Sequence, residues 1–199
     1  MTIVNVGKPK RVSLILVLTL VLVLFAAITV SAIVQTSDTK GHWAEKQIND
    51  WRSKGLTNGY ADGSFKPDKN ITRAEFITLV NKAFGFTKEA EVKFTDVSAG
   101  DWFVGEIAKA KAAAYISGDP TGTVRPNQHI SRQEVAAILC KILKLDSAKH
   151  DGTVDKFKDA GSIPQWSKSN IGTISVNGYM AGYPDQTFAP KNSPPEGKQ

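Results

Sequence analysis

The hydrophobic and polar positions divide the chain into an apolar N-terminal segment and a longer remainder with helical periodicity. An almost unbroken apolar run extends from Val12 to Val30, and small residues follow at Ser31 and Ala32. The residues that precede this run are basic: Lys8, Lys10 and Arg11. This order is typical of an export signal, so residues 1–32 are predicted to be a signal peptide. A retained membrane anchor is the alternative, because a helix of this length nearly crosses the hydrocarbon core.

Residues 33–199 repeat one pattern two and a half times, with a spacing of 59 and then of 64 positions. Each copy has a Trp-led helical stretch, a turn rich in Gly, Asn, Asp and Pro, and the start of a second helix. Equivalent positions hold the tryptophans Trp43, Trp102 and Trp166 and the glycines Gly59, Gly118 and Gly182. This self-similarity predicts repeats at 33–86 and 87–145 and an incomplete repeat at 146–199.

Each first stretch places its tryptophan on a helical face that we expect to point toward the core. In the first copy this face consists of Trp43, Gln47, Ile48 and Trp51. The following turn has one apolar position, which is Phe65, Val124 or Phe188 in the successive copies. We expect that side chain to be tucked inward in all three repeats.

The second helices carry a recognisable start signal. Thr72 with Glu75, and Ser131 with Glu134, have the spacing of a capping box, so these four residues are predicted to be helix caps. Apolar stripes at helical spacing follow, and we expect these two helices to be the best-buried elements. The stripes are Phe76, Leu79, Val80, Ala83 and Phe84, and Val135, Ile138, Leu139, Ile142 and Leu143.

Arg73 and Arg132 occupy the first helical position, where the helix dipole makes a cation slightly unfavourable. One interpretation is an anion site, because arginine grips a carboxylate or phosphate with two parallel hydrogen bonds. The other is a surface arginine that pairs with a nearby carboxylate. The spacing alone does not choose between them.

Composition and charge add limits on function. The chain is 41% hydrophobic and 22% charged, and three of its 25 basic residues but none of its 19 acidic residues lie in 1–32, which leaves +3 on the remainder. That charge is too small to indicate nucleic-acid binding. Cys140 cannot form an internal disulfide and is expected to be a buried, inert thiol. The glutamates are assigned to caps and the histidines lack metal-ligand spacing, so no enzyme, cofactor or metal site is expected.

The Trp-led helix, the "NGYADGSFKP" turn and "ITRAE" together resemble the S-layer homology family. The resemblance implies a mainly α fold with pseudo-threefold helix-loop-helix repeats around a central helical bundle. It also implies non-covalent attachment of exported proteins to secondary cell-wall polysaccharide at the cell surface. Pyruvylated sugars, held in grooves between repeats, are the implied ligands.

By this resemblance, Arg73 and Arg132 hold the pyruvyl carboxylate. Three further groups are implied to form the groove walls: the aspartates Asp38, Asp96 and, by a looser alignment, Asp159; the tryptophans Trp43, Trp102 and Trp166; and the glycines Gly59, Gly118 and Gly182. An indole suits the apolar face of a sugar ring, and glycine lets a ligand approach the backbone.

The third copy departs from the pattern. Glu196 stands where arginine is expected, Lys198 stands where glutamate is expected, and Pro194 and Pro195 precede them. The second helix of the third copy is therefore predicted to be absent. Its absence leaves a hydrophobic patch on the second helices of the first two copies. The alternatives are a weakly stable monomer, association with a chain that supplies the helix, or a truncated product, which we favour. A membrane-tethered envelope or protein-interaction element is the alternative function.

Overall fold

The computed structural model describes residues 37–148 and 150–192. These residues form five α-helices and two short 3-10 helices, and the only β pairing among them is an isolated bridge between Thr72 and His129. The α-helices are α1 (Glu45–Ser53), α2 (Arg73–Phe84), α3 (Val104–Ala112), α4 (Arg132–Ile142) and α5 (Gln165–Val176), and the 3-10 helices are Asp151–Lys156 and Ala160–Ser162. The mainly α class is thus confirmed. The predicted signal segment and the altered third copy at residues 193–199 lie outside the described residues.

The helices α2 and α4 begin with the capping boxes that the sequence indicated. At α2, the Thr72 hydroxyl accepts a hydrogen bond from the Glu75 amide at 3.2 Å, and the Glu75 carboxylate accepts one from the Thr72 amide at 2.8 Å. At α4, the Glu134 carboxylate accepts hydrogen bonds from the Ser131 amide at 2.9 Å and from its hydroxyl at 2.7 Å. The two glutamates therefore have a structural role at the start of each helix.

An aspartate fixes the turn in each repeat. The Asp96 carboxylate accepts hydrogen bonds from the amides of Val124, at 3.0 Å, and Arg125, at 2.7 Å. Asp38 and Asp159 bind two successive turn amides in the same way. The second residue of each pair has a left-handed backbone, with φ between 52° and 54°, which is costly for a residue with a side chain. The aspartates thus hold a strained turn in place.

The helices pair across repeat boundaries. The second helix of the first repeat, α2, packs on α3 of the second repeat, and α4 packs on α5 of the third. Within the described residues, α1 packs on no other α-helix, and α2 and α4 meet through side chains, such as the Arg73–Glu134 pair, without close approach of their backbones. The pseudo-threefold arrangement around a central bundle therefore remains a prediction.

Two hydrophobic clusters form the core, and α4 lies between them. Val135 and Ile138 of α4 join the cluster that contains α2 and α3, whereas Ala136 and Cys140 join the cluster that contains α5. The apolar turn residues Val124 and Phe188 are fully buried, one in each cluster, as predicted. Phe65 of the first repeat is only partly buried.

The face of α2 that is buried in the structure differs from the predicted apolar stripe. Its buried residues include Ala74, Ile77 and Val80, whereas Phe84 is 44% exposed. The reason is that α3 and the second-repeat turn cover the face that carries Arg73 and Asn81. The side-chain amide of Asn81 donates a hydrogen bond to the Glu106 backbone carbonyl. The prediction that α2 and α4 are the best-buried helices is also wrong, since α5 buries as many residues as α2.

Cys140 is buried, and burial raises the pKa of its thiol to about 11, which keeps it protonated and inert.

In the ranges that the structure covers, no helix has the length and apolar character needed to cross a membrane. The proposed anchor at residues 12–30 lies outside those ranges.

Acidification is expected to destabilise the fold below about pH 4. Hydrogen bonds from turn hydroxyls and amides, led by those from Ser64, Thr121 and Thr187, hold the pKa of Asp62, Asp119 and Asp185 below the ordinary value of 3.8. Because the folded-state pKa is the lower one, this stabilisation is present above the ordinary pKa and is lost as pH falls toward the folded value. Urea midpoints between pH 6 and pH 2 measure the effect.

The variant Asp119→Asn should flatten that pH dependence, because it removes a titrating group whose proton affinity changes on folding. The matched control is Asp155→Asn, at an exposed aspartate outside these turns. Equal slopes for the two variants would contradict the assignment.

Candidate functional site

Arg73 lies at the boundary between the first and second repeats, and only 8% of it is exposed. Its Nε donates a hydrogen bond to the Val124 carbonyl at 2.8 Å, and its Nη1 donates one to Glu134 Oε1 at 2.9 Å. Burial lowers the pKa of Arg73, and the Glu134 carboxylate opposes that shift. Of the two interpretations left open by the sequence, the structure has the arginine paired with a carboxylate, although the pair is buried and not on the surface.

The backbone at the start of α2 is also engaged by the next repeat. The amides of Arg73 and Ala74 donate hydrogen bonds to the carbonyls of Gln128 and Pro126, both at 2.9 Å. These amides are two of the donors that an anion at a helix start would need. The second-repeat turn thus already occupies the position that the sequence indicated for a carboxylate ligand.

Arg132 repeats this arrangement at the boundary between the second and third repeats. Its Nε donates to the Phe188 carbonyl at 2.8 Å and its Nη2 donates to the Ala181 carbonyl at 2.7 Å. The guanidinium lies over the rings of Tyr183 and Phe188, at 4.6 and 4.7 Å from their centres. Arg132 is less buried than Arg73, and it brings positive charge to the edge of the third-repeat turn.

A cleft of about 310 Å³ opens beside this turn, between the end of α5 and the loop that Arg132 contacts. Ser175 lines the cleft, and its hydroxyl oxygen is buried without a hydrogen-bond partner among the described residues. The remaining lining residues are Lys156, Phe157, Gly178, Met180, Ala181, Gly182, Tyr183 and Gln186.

The first and second repeats carry a long basic side chain at the position of Ser175. Arg52 extends over the Phe65 ring at 5.2 Å, and Lys111 extends over the Phe94 ring at 5.5 Å. Serine is too short to reach Phe157, the equivalent of Phe94, and Lys156 lies over that ring at 5.1 Å instead. The small side chain of Ser175 thus leaves room for the cleft in the third repeat.

The three turn glycines are required by close packing within their own repeats. A Cβ on Gly182 would lie 2.6 Å from the Phe157 ring and 2.8 Å from the Thr187 carbonyl oxygen. Gly118 meets Phe94 in the same way, and Gly59 meets the Ser64 carbonyl oxygen. Gly182 also lines the third-repeat cleft. The predicted contribution of the three glycines to a ligand groove remains a prediction.

The predicted core-facing position of the tryptophans is wrong. Trp43, Trp102 and Trp166 are 55%, 64% and 55% exposed. The reason is visible in the second repeat, where Trp102 precedes the first residue of α3 and its neighbour Phe103, 3% exposed, enters the core instead. Exposed indoles remain available to stack on a sugar ring. Trp43 lines a shallow depression with His42, Glu45, Lys46 and Asn49.

No group of three or more His, Cys, Asp or Glu side chains in the described part of the chain is arranged to hold a metal ion. Asp38, Asp96 and Asp159 direct their carboxylates at turn amides, so the structure gives them a role in shaping the turns. Their predicted contribution to a groove wall remains a prediction.

The structure defines a class of helical repeat module. In it, the first and second repeats each insert a helix-start arginine into the turn of the following repeat. The S-layer homology domain model matches residues 35–77, 93–136 and 156–193. The chain therefore belongs to the S-layer homology domain family.

Several named relatives share this region. The chain is 33% identical over 140 residues to the cellulosome-anchoring protein of Acetivibrio thermocellus, covering 68% of this chain and 31% of that protein. It is 32% identical over 154 residues to the S-layer protein sap of Bacillus anthracis, covering 76% of this chain and 18% of that protein. It is 32% identical over 158 residues to the exoglucanase XynX of Acetivibrio thermocellus, covering 78% of this chain and 14% of that protein.

The chain spans less than a third of the length of each of these relatives. The catalytic name of the exoglucanase belongs to a protein in which the shared region is a small part.

Proposed function

We propose that this chain is a non-catalytic module that attaches an exported protein to secondary cell-wall polysaccharide at the cell surface. Membership of the S-layer homology family supports the proposal, together with relatives named as an S-layer protein and a cellulosome-anchoring protein. The observation that carries it is the third-repeat cleft, which combines a positive charge with an aromatic wall. Polar groups in a partly apolar cleft are typical of a small-ligand site.

The chemistry of the cleft suits an acidic sugar such as a pyruvylated one. Lys156 supplies an ammonium for a carboxylate, and the Tyr183 and Phe157 rings supply an apolar surface for a sugar face. Arg132, over the Tyr183 ring, adds positive potential at one end of the cleft.

The other residues implied by the family have two separate roles in this proposal. Trp43, Trp102 and Trp166 provide exposed surfaces along the module on which further sugar units of the polymer stack. Arg73, buried against Glu134, acts through the fold by holding the second-repeat turn.

Filling the cleft is expected to weaken wall binding by about tenfold or more, because a longer side chain takes the space of the bound sugar. Ser175→Lys introduces the residue that the second repeat carries at this position, Lys111. The control is Val176→Lys, at an exposed neighbour on the same helix, which adds the same charge outside the cleft. Co-sedimentation with purified cell wall, at several protein concentrations, measures both variants.

Wall stripped of pyruvyl groups provides a second arm of this experiment. The unchanged protein should lose binding to stripped wall, as Ser175→Lys does to intact wall. If Ser175→Lys and Val176→Lys bind alike, the cleft is not the site. If stripped wall binds as well as intact wall, the acidic sugar is not the ligand.

A further inference from the structure

The pair Asn-Gly occurs twice in the chain, at 58–59 in the first-repeat turn and at 177–178 after α5. This pair favours deamidation, because glycine has no side chain to obstruct its own nitrogen when that nitrogen attacks the asparagine side chain. Both copies follow a β-branched residue and precede a tyrosine, as "TNGY" and "VNGY", so the local sequence makes them alike. They differ in how the folded chain holds the two groups that must react.

Both reacting groups of the second pair are hydrogen-bonded. The side-chain Nδ2 of Asn177 donates a hydrogen bond to the Thr173 carbonyl at 2.9 Å. The amide of Gly178 donates one to the Ser175 carbonyl at 3.3 Å. Attack by the Gly178 nitrogen would break both hydrogen bonds, and each loss adds to the barrier. The end of α5 therefore protects Asn177.

The reacting groups of the first pair are not held in this way. Asn58 is exposed and lies outside the helices, and its side chain makes no hydrogen bond with any other described residue. The Gly59 amide has one long contact, to the Thr57 hydroxyl at 3.5 Å. The Asn58 side chain can thus turn toward the Gly59 nitrogen without breaking an internal hydrogen bond.

A guanidinium lies beside the first pair. A Cβ on Gly59 would lie 3.4 Å from Nη2 of Arg52. Deamidation develops negative charge on the glycine nitrogen as it loses its proton, and then on the oxygen of the tetrahedral intermediate. A fixed cation beside both positions stabilises that charge. Apart from its chain neighbours, no described atom would lie within 4 Å of a Cβ on Gly178.

The other two repeats have no amide side chain at this turn position. Asn58 is equivalent to Ser117 and Ala181. Each of these residues still precedes a turn glycine, Gly118 or Gly182, that packs closely within its own repeat. The turn therefore forms without asparagine, and a reactive amide at this position belongs to the first repeat.

We propose that Asn58 is a site of spontaneous deamidation and that Arg52 promotes the reaction. The Gly59 nitrogen loses its proton and forms a bond to Cγ of Asn58, and Nδ2 leaves as ammonia, taking up a proton. Water then opens the resulting five-membered imide at one of its two carbonyls. Opening at Cγ gives aspartate. Opening at the backbone carbonyl gives isoaspartate, in which the main chain runs through the former side chain.

Both products place a new carboxylate near Arg52. This charge competes for the guanidinium that otherwise lies over the Phe65 ring at 5.2 Å. Isoaspartate also lengthens the main chain by one carbon next to Gly59, where the Ser64 carbonyl already leaves no room for a Cβ. We therefore expect the isoaspartate form to melt at a lower temperature. This site is separate from the third-repeat cleft and does not depend on wall binding.

The test is to age the full chain at mildly alkaline pH and to measure conversion at each pair by peptide-map mass spectrometry. Labelling by isoaspartyl methyltransferase reports the isoaspartate product. Asn58 should convert about tenfold faster than Asn177 or more, since only the second pair has two hydrogen bonds to break. Equal rates in the folded chain, or no conversion at Asn58, would overturn the proposal.

A sample aged in concentrated urea shows whether the difference comes from the fold. There the two pairs should convert at similar rates, because their local sequences are alike. A difference of the same size in urea would contradict the structural explanation. Asn58→Ser, which introduces the residue of the second repeat, should prevent the loss of melting temperature that the unchanged chain shows on ageing. The same loss in Asn58→Ser would contradict the expected effect of deamidation on the fold.

The role of Arg52 has its own variant. Arg52→Gln should slow conversion at Asn58 by at least about threefold, the effect of one charge at this distance in a solvated site. Conversion at Asn177 in the same sample should not change. The control is Lys46→Gln, which removes an exposed cation from the same helix. If both variants convert Asn58 at the rate of the unchanged chain, Arg52 does not promote the reaction.

Discussion

Replacing Arg73 with alanine is expected to lower the free energy of unfolding by about 3–5 kcal/mol, the usual cost of removing one partner of a buried ion pair. The variant leaves the Glu134 carboxylate without its closest cation and the Val124 carbonyl without its donor. Arg73→Lys should restore only part of the loss, because an ammonium cannot match the fork that reaches both acceptors. Urea unfolding followed by circular dichroism measures both variants.

Arg125→Ala is the matched control for this prediction. Arg125 also contacts Glu134, at 3.3 Å, but its side chain is 42% exposed. A change below about 1 kcal/mol is expected for an ion pair of that exposure. If the two alanine variants lose the same amount, Arg73 is not the main cross-repeat contact. A loss of wall binding in an Arg73 variant has to be separated from unfolding before it is assigned to ligand contact.

Replacing Gly172 with alanine is expected to destabilise the protein by about 1–3 kcal/mol or more, although alanine usually favours a helix over glycine. Gly172 is buried in α5, and a Cβ there would overlap the backbone oxygen of His150. No pair of non-bonded atoms tolerates such an approach, so either α5 or the segment at His150 has to move. Thermal and urea unfolding both measure the loss.

Gly105→Ala is the matched control, because it changes a helical glycine at which a gain in stability is expected. Its Cβ would meet only the Glu89 side chain at 3.7 Å, which is ordinary contact, so a gain of up to about 1 kcal/mol is expected. Opposite signs for the two variants would show that α5 is held tightly against the preceding segment. A gain for Gly172→Ala would mean that the close approach is absent in solution.

The features that the sequence predicted well are local ones. A capping box depends on residues three apart, so "ITRAE" and "ISRQE" located the starts of α2 and α4 without knowledge of the rest of the fold. The sequence repeats also showed which turn positions of the three copies are equivalent. For this reason Val124 and Phe188 were correctly expected to be buried.

The features that the sequence did not reveal depend on contacts between repeats. Arg73 meets a glutamate 61 positions away, a pairing that spacing within one repeat cannot show. The buried face of α2 is set by α3, not by its own most apolar stripe, so a polar Asn81 is buried while Phe84 is exposed. Trp43 and Trp102 were misplaced because they precede their helices, where helical periodicity does not apply.

The pairing of α2 with α3 and of α4 with α5 means that the sequence repeat and the folding unit are offset by half a period. A cut between 86 and 87, which looks natural in the sequence, would separate two helices that share a core. The smallest piece with an intact helix pair instead runs from the middle of one copy to the middle of the next. Recombination or domain shuffling that respects such half-period junctions would preserve packing, whereas exchange of whole sequence copies would have to rebuild every interface.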